Sequence, residues 1–293
     1  MTHEEVSADD EQRWLADAGE PERIACVRAE RWITYPRAAA ILDQIQRLLD
    51  HPRNSRMPSL LIIGESGIGK TQLDLKFCRD HPARFDEKSR RTVSPVVSVQ
   101  MPAAPTDRLF YMMLLRAVGA VFPPRISTAE AMIMAFRLYA DLGVRVVIFD
   151  EIHNMLAGTF RDQRRILTQL RYLSNELRVS VVCLGIETAR DAMAGDPQLA
   201  RRFSLIELPA WEVDADFRAL VATLLRHLPL RNASVLDTAA LQTVIRSTRG
   251  NTARVFQLFG DLTVAAICSG DERITAEAIG AWRPSVYDRA LAG

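Results

Sequence analysis

Short apolar runs alternate with amphipathic segments along most of the chain. Five of these runs have the length and composition of buried strands, and they span residues 60–63, 93–99, 144–149, 179–184 and 204–208. Between them, apolar side chains recur every three or four positions, which is the spacing of a helix with one buried face. This alternation predicts an α/β fold in which a five-stranded parallel sheet is flanked by helices.

The pattern changes on both sides of this region. Residues 37–50 place apolar side chains at helical spacing, and the first 30 residues hold nine acidic and three basic side chains. Beyond residue 211 the strand pattern stops, and helices are predicted at 214–227, 237–249, 252–268 and 275–282. We therefore predict three parts: an N-terminal helical arm over 1–55, an α/β core over 56–210 and a small all-α lid domain over 211–293.

A glycine-rich segment, GESGIGKT, occupies residues 64–71 directly after the first apolar run. Glycine permits backbone conformations that direct successive N–H groups at phosphate oxygens, and the helix that follows adds the positive end of its dipole. The lysine of this pattern suits the β- and γ-phosphates, and the adjacent hydroxyl suits Mg²⁺. The segment predicts a nucleotide site formed by Gly64, Glu65, Ser66, Gly67, Ile68, Gly69, Lys70, Thr71 and Gln72, with Thr71 as a metal ligand.

Two carboxylates follow the third predicted strand, at the sheet edge where the glycine loop is expected. Asp150 is predicted to hold Mg²⁺, and Glu151 is predicted to orient or deprotonate the attacking water. Together with Lys70, they predict a catalytic site that hydrolyses ATP with Mg²⁺. Asn154 lies three residues beyond Glu151, where it either senses the γ-phosphate or caps the next helix.

Three arginines are candidates for completing this site. Arg201 and Arg202 precede the fifth strand, where they either reach the γ-phosphate of a neighbouring subunit as an arginine finger or form a solvated surface pair. Arg254 begins a helix of the predicted lid, and it either folds back on the nucleotide or lies on the helix surface.

Composition limits the remaining functional classes. The formal net charge is +1, which excludes a uniformly basic nucleic-acid coat but not a local basic patch. No apolar run has the length of a membrane span, and the acidic N-terminus lacks the apolar region of a signal peptide. We therefore expect a cytoplasmic protein with no membrane partner. The four cysteines stand singly without metal-type spacing, and we expect reduced core thiols.

The order of four motifs, GESGIGKT, VVIFDE, LARRF and GNTAR, resembles that of an AAA+ ATPase. Within that superfamily the chain resembles the TniB/TnsC group of transposition regulators, on the segment RWITYP at 31–36 and the apolar positions leading to the first strand. The resemblance covers about residues 25–265 and implies a P-loop AAA+ core followed by a helical lid.

The chain departs from the family pattern at two places. Gly185 is followed by Ile186, Glu187 and Thr188 where the family commonly has threonine, which leaves the phosphate-sensing group open. The lid motif has one residue more between Gly250 and Arg254 than the shorter Gly-x-x-Arg form.

The resemblance implies a protein that binds ATP at subunit junctions and assembles into rings or helical filaments on double-stranded DNA. It also implies a regulator of transposition that recruits or activates a transposase, with a TniQ-like adaptor as a further partner, and that disassembles after hydrolysis. Such DNA binding is sequence-tolerant, because it depends mainly on phosphate contacts.

Two surfaces are candidates for the DNA contacts. The first lies between the second and third strands and consists of Arg108, Arg125 and Thr128. The rival surface is a basic helix, which is equally well explained as a solvated face and carries Arg161, Arg164, Arg165, Arg171 and Arg178.

Two other functions fit the same motifs. A helicase loader would use the same ATPase core for a different partner. A nucleotide-gated scaffold would recruit partners through the acidic N-terminal arm, with negligible turnover.

Overall fold

The computed structural model of the protein describes residues 16–29 and 32–283. They form two compact units: residues 40–209, and the described residues up to Ala39 together with those from Ala210 onward. Residues 1–15 of the predicted arm lie outside the described residues.

The strands of the described residues are all in the first unit, which we call the α/β unit. They are β1 (Ser59–Gly64), β2 (Arg84–Asp86), β3 (Arg91–Val93), β4 (Val96–Gln100), β5 (Val146–Asp150), β6 (Ser180–Gly185) and β7 (Phe203–Leu208). Five of them form a parallel sheet in the order β4-β5-β6-β1-β7, and β2 pairs with β3 in an antiparallel hairpin.

Helices surround this sheet and make up the second unit, which we call the helical unit. They are α1 (Glu20–Arg28), α2 (Pro36–Asp50), α3 (Lys70–Asp80), α4 (Asp107–Ala117), α5 (Thr128–Asp141), α6 (Phe160–Leu177), α7 (Thr188–Ala194), α8 (Pro197–Ala200), α9 (Ala215–Arg226), α10 (Thr238–Thr248), α11 (Thr252–Ser269) and α12 (Ala276–Ala281). A 3₁₀-helix covers Ile152–Ala157.

The register of the sheet brings the ends of four strands together. Ile63 of β1 is level with Gly185 of β6, and Gly64 is level with Leu208 of β7. In turn, Phe149 of β5 is level with Cys183 of β6. Because β5 and β6 are buried along their whole length, they read as continuous apolar runs. The predicted five-stranded parallel sheet is confirmed, and its carboxyl ends form one edge.

The second predicted strand was wrong at its start. Val93 belongs to the β2–β3 hairpin, and β4 begins at Val96 after Ser94 and Pro95. Proline has no backbone N–H, so an apolar run that contains it does not continue as one ladder. The carbonyl of Pro95 instead accepts hydrogen bonds from the N–H groups of Arg145 and Val146, at 2.8 and 3.1 Å.

The helical unit has the helices predicted after residue 211, and α1 packs on α11. Arg23 of α1 is buried, and it donates hydrogen bonds to Glu272 and to the carbonyl of Pro229. At Gly250, with φ 66°, a Cβ would lie 2.4 Å from the carbonyl oxygen of Trp211, so this turn requires glycine. The three-part division of the chain stays a prediction, and the structure adds the packing of α1 on α11.

The cysteines differ from the prediction in their burial. Cys183 is buried in β6, Cys26 and Cys78 are half-buried, and Cys268 is exposed, so the prediction of core thiols was wrong for Cys268. Among the described residues, none of the four forms a disulfide. Within the described ranges, none of the helices has the length and apolar character needed to cross a membrane.

Candidate nucleotide site

The glycine loop connects β1 to α3 and has the backbone geometry that its sequence predicts. Gly67 and Gly69 have φ values of 78° and 107°, in the left-handed region that glycine adopts without strain. A Cβ on Gly64 would lie 2.7 Å from the carbonyl oxygen of Leu208, because β7 runs directly beside this point. The loop is therefore shaped by glycine at its turns and at its contact with the neighbouring strand.

Lys70 is the first residue of α3, and its ammonium group is turned into the loop. The side chain is buried, and Nζ donates to the carbonyl oxygens of Gly64 and Glu65 at 2.8 and 2.9 Å. Burial lowers the pKa of the Lys70 ammonium group, while the negative charges of Glu151 and Asp150 oppose this. A buried cation with only neutral acceptors is well placed to exchange them for phosphate oxygens.

Thr71 and Asp150 meet at the edge of the sheet. The hydroxyl of Thr71 donates to Oδ2 of Asp150 at 2.7 Å, and Oδ1 accepts from the backbone N–H of Glu151 at 2.8 Å. Asp150 is buried, so its carboxylate is held in one orientation by both bonds. A hydroxyl and a carboxylate are hard oxygen ligands of the kind that Mg²⁺ takes beside nucleotide phosphates. The donor set therefore fits ATP with Mg²⁺.

Glu151 follows β5 with its backbone in the left-handed region, at φ 55°. Its carboxylate oxygen Oε2 lies 3.1 Å from Nε2 of His153, in the first turn of the 3₁₀-helix. The other ring nitrogen of His153, Nδ1, is buried and has no hydrogen-bond partner among the described residues. The structure thus places an imidazole against the predicted catalytic carboxylate, a contact that the sequence did not predict.

Asn154 does not cap the next α-helix, so that alternative was wrong. The N-cap of α6 is Thr159, which forms a capping box with Asp162. The side-chain amide of Asn154 donates to the carbonyl oxygen of Met101, at 2.8 Å, and so joins the 3₁₀-helix to the end of β4. Its role toward the γ-phosphate stays a prediction.

The residues after β6 bear on the open question of the phosphate-sensing group. A Cβ on Gly185 would lie 2.8 Å from Cβ of Ala189 and 2.9 Å from a methyl carbon of Ile152, so this strand end is closely packed. Beyond it, Glu187 and Thr188 are both exposed, and Glu187 pairs with Arg190 at 3.2 Å. The polar groups at this end of β6 therefore belong to the start of α7.

Arg201 and Arg202 lie at the amino ends of the parallel strands, whereas the glycine loop lies at their carboxyl ends. They precede β7, and the backbone N–H of Ser59, at the start of β1, donates to the carbonyl oxygen of Arg202 at 2.9 Å. The six residues of β1 separate this point from Gly64, a distance of about 20 Å at the rise of a parallel strand. The structure does not bring these arginines to the glycine loop of their own chain.

The role of Arg254 stays a prediction. It lies in the first turn of α11 in the helical unit, and its backbone N–H donates to the side chain of Asn251, the N-cap, at 3.3 Å.

The first DNA candidate surface is continuous in the structure. The guanidinium of Arg108 donates to the carbonyl oxygens of Ile126 and Pro124, at 2.8 and 2.7 Å. It is thereby fixed beside the loop that holds Arg125 and leads into α5, where Thr128 is the first residue. Arg108, Arg125 and Thr128 are all exposed, and the two hydrogen bonds hold the Arg108 guanidinium in place.

The rival surface lies along α6 and is partly neutralised. Arg164 stacks over the ring of Phe160 at 5.5 Å. Arg171 forms an ion pair with Asp196 at 3.0 Å, and Arg165 lies 3.8 Å from Asp162. Arg178 ends the helix in a left-handed conformation, at φ 51°.

Sequence reasoning missed two residues near these sites. Asp74, on α3, is buried against Ser98 of β4. The sequence indicates this burial only in that a carboxylate stands within the apolar stripe of the helix. Arg56 precedes β1 in a polar turn, where its sequence gives no sign that it adjoins Arg201 and Arg202.

Comparisons with known proteins agree with this architecture. The chain is similar to the Aeropyrum pernix ORC2 protein in its ADPNP-ADP complexes, with 19% identity and a TM-score of 0.59 over 87% of this chain and 70% of that chain. The A. pernix ORC1 protein in complex with DNA gives 17% identity and a TM-score of 0.61, over 87% and 67%. Cdc6p from Pyrobaculum aerophilum gives 16% identity and a TM-score of 0.59, over 86% of this chain and 68% of that chain. No curated protein matches the sequence.

At these identities the structural likeness shows the fold alone, which is that of the AAA+ P-loop ATPases. The family is shown by sequence. A family profile described as "Bacterial TniB protein" matches residues 23–213, which is more than half of the chain and includes the whole parallel sheet. The protein therefore belongs to the TniB family.

Proposed function

We propose that this protein is an ATP-hydrolysing, DNA-binding regulator of transposition that assembles on double-stranded DNA and recruits or activates a transposase. The observation that carries the proposal is the pairing of Thr71 with Asp150 beside the buried Lys70, with Glu151 next in the chain. This arrangement supplies each group that phosphoryl transfer to water requires from a protein. Membership of the TniB family supports the link to transposition.

The geometry supports the following roles within the site. The loop from Gly64 to Gly69 offers backbone N–H groups to the phosphates, and Lys70 exchanges its two carbonyl acceptors for phosphate oxygens. Thr71 and Asp150 would hold Mg²⁺, which when bound would supply positive charge beside the phosphates. Glu151 accepts the proton of the attacking water or orients that water.

Assembly is supported by the position of Arg201 and Arg202. They are about 20 Å from the glycine loop of their own chain, so they serve a γ-phosphate only in a neighbouring subunit. A contact of this kind joins unlike surfaces, and repeated contacts of that kind build rings or helical filaments.

DNA binding is assigned to the surface of Arg108, Arg125 and Thr128. Two structural relatives were determined with DNA, the A. pernix ORC1 protein and the Drosophila ORC. The fixed guanidinium of Arg108 and the exposed Arg125 suit phosphate contacts, which give sequence-tolerant and salt-dependent binding. A transposase and a TniQ-like adaptor are the proposed protein partners.

Co-sedimentation with duplex DNA tests this function. The protein should bind DNA and form large assemblies with an ATP analogue but not with ADP, and Lys70→Ala should abolish the difference. Glu151→Gln should retain the ATP-dependent assembly while ATP turnover falls about 100-fold. Equal DNA binding in ATP and ADP would remove the proposal.

The DNA surface is tested by two matched pairs of substitutions. The double variant Arg108→Ala/Arg125→Ala should weaken DNA binding and reduce its salt dependence. Arg161→Ala/Arg164→Ala removes the same charge from α6 and should leave binding within a factor of about 2. The opposite result would assign the DNA contacts to α6.

A nucleotide-gated scaffold with negligible turnover is the second candidate. It is favoured by the contact between Glu151 and His153, because an imidazole at 3.1 Å competes with water for that carboxylate. A helicase loader differs from both in its partner. ATP turnover measured alone, with DNA and with DNA and transposase distinguishes them, since a scaffold shows none in every mixture and a loader is indifferent to transposase.

A further inference from the structure

A basic cavity of about 560 Å³ lies at the amino ends of β1 and β7. Arg56, Arg201, Arg202, His51 and Gln198 line it, and none of the described residues that line it is acidic. The parallel pairing of Ser59 with Phe203 holds its two sides together, because Arg56 precedes the first strand and the other two arginines precede the second. The cavity is thus a fixed feature of the sheet edge.

The three arginine side chains differ in burial and in hydrogen bonding. Arg202 is half-buried, and its guanidinium donates to the side-chain oxygen of Asn175 at 2.6 Å. Arg56 and Arg201 are exposed, and neither forms an ion pair with a described residue. Arg202 is therefore braced against α6, while the other two guanidinium groups are available to a ligand.

The cavity lacks compensating negative charge. Burial lowers the pKa of the Arg202 guanidinium, and the nearby Arg56 and Arg171 lower it further. The nearby carboxylate, Asp196, is paired with Arg171 at 3.0 Å. Like charges that repel one another at a concave surface are stabilised when an anion binds between them. Arginine is suited to phosphate because its fork of donors binds two oxygens at once.

We infer that Arg56 is a further catalytic residue of the proposed assembly and that, beside Arg201 in this cavity, it contacts the terminal phosphates of ATP bound to a neighbouring subunit. The inference rests on the proposed assembly and adds Arg56 to it as a catalytic residue. The phosphate comes from another molecule, because the glycine loop of the same chain lies at the far end of β1.

Kinetics of single variants give the first test. Arg56→Ala should lower kcat for ATP hydrolysis about 100-fold while the affinity for a fluorescent ATP analogue stays unchanged, since the residue acts on another subunit's nucleotide. Arg56→Lys should recover only part of the rate, because a lysine cannot bind two oxygens in parallel. Arg246→Ala is the matched control, because this exposed arginine of α10 donates, within the described part of the chain, to Thr243 alone.

Mixing two inactive variants gives the decisive test. Arg56→Ala retains a complete glycine loop and Glu151, and Glu151→Gln retains the three arginines. In an equal mixture, about a quarter of the junctions combine an intact Glu151 with an intact Arg56, so turnover should reappear. Two variants that were each damaged in folding would not restore each other.

The outcomes separate this inference from the proposed function. If the wild-type protein has no turnover with DNA and transposase, the proposed function fails. If the wild type is active and Arg56→Ala matches it, or if the mixture stays inactive, the inference fails. If Arg56→Ala loses DNA binding but keeps its turnover, the cavity binds DNA phosphates and the inference is also overturned.

Discussion

Replacement of Asp74 by asparagine should stabilise the protein at neutral and alkaline pH. Asp74 is 4% exposed, on the side of α3 that packs against β4. Its carboxylate accepts hydrogen bonds from the hydroxyl of Ser98 at 2.5 Å and from the thiol of Cys78 at 3.4 Å. Asparagine has the same shape as the protonated acid and keeps an acceptor for Ser98, but it carries no charge to bury.

The magnitude follows from the pKa of Asp74. Burial raises this pKa from its ordinary value of 3.8 to about 6, with the charge of Asp150 adding to the effect and the hydrogen bonds of Ser98 and Cys78 opposing it. Because the folded pKa is the higher one, the wild-type protein loses stability as pH rises from about 4 through about 6. A difference of about 2 pH units corresponds to about 3 kcal/mol at pH 8, and to about half of that at pH 5.

Urea titrations of both proteins at pH 8 and pH 5 measure the effect. All four tryptophans, Trp14, Trp32, Trp211 and Trp282, lie outside residues 40–209, so far-UV circular dichroism should follow unfolding. Hydrogen exchange of peptides from α3 and β4 then assigns the change to this region.

The control variant and the refuting result both test the sign of the change in stability. Asp86 is hydrogen-bonded to Ser89, which lowers its pKa, so Asp86→Asn should destabilise the protein at pH 8. An Asp74→Asn variant that is no more stable than wild type at pH 8, or whose advantage is as large at pH 5, would show that burial does not penalise this carboxylate.

Two further predictions concern His153 and Arg23. Under the proposed ATPase function, His153→Ala should lower kcat about tenfold at unchanged nucleotide affinity, because it removes the group that positions Glu151. A rate equal to wild type in steady-state assays would show that the contact has no role, and a higher rate would show that the imidazole competes with water, as in the scaffold. Arg23→Met should cost about 3 kcal/mol, because the buried Glu272 then keeps only the longer ion pair with the exposed Arg231, at 3.7 Å, among the described residues. Tryptophan fluorescence during urea unfolding measures the loss in the helical unit, and Arg23→Met/Glu272→Leu should recover most of it if the poorly compensated charge is the cause.

The parts of the fold that depend on local pattern were predictable. The parallel strands appear as apolar runs because β5 and β6 are buried on both faces, and GESGIGKT identifies its loop because Gly67 and Gly69 need left-handed backbone. The start of β4 was not predictable from hydrophobicity, since Val93 is as apolar as Val96 and only the ladder bonds distinguish them.

The parts of the site that depend on long-range pairing were not predictable. Arg56 joins Arg201 only because β1 pairs with β7, and no local pattern encodes that neighbour. The bond from Asn154 to Met101 likewise depends on how the 3₁₀-helix lies against β4. The burial of Asp74 depends on Ser98, a residue of another element.

The length of β1 has a consequence for the life of an assembly. Six residues separate the arginine cavity from the glycine loop, so in the proposed assembly each subunit would contribute arginines at one end of this strand and bind its own nucleotide at the other. An open chain of such subunits has two different ends. At one end the bound nucleotide receives no arginine from a neighbour, and at the other end the arginines face solvent. The nucleotide that lacks an arginine from a neighbour should be hydrolysed last. ATP is therefore expected to be lost at different rates at the two ends, and subunits should dissociate from within the assembly or from one end rather than equally from both.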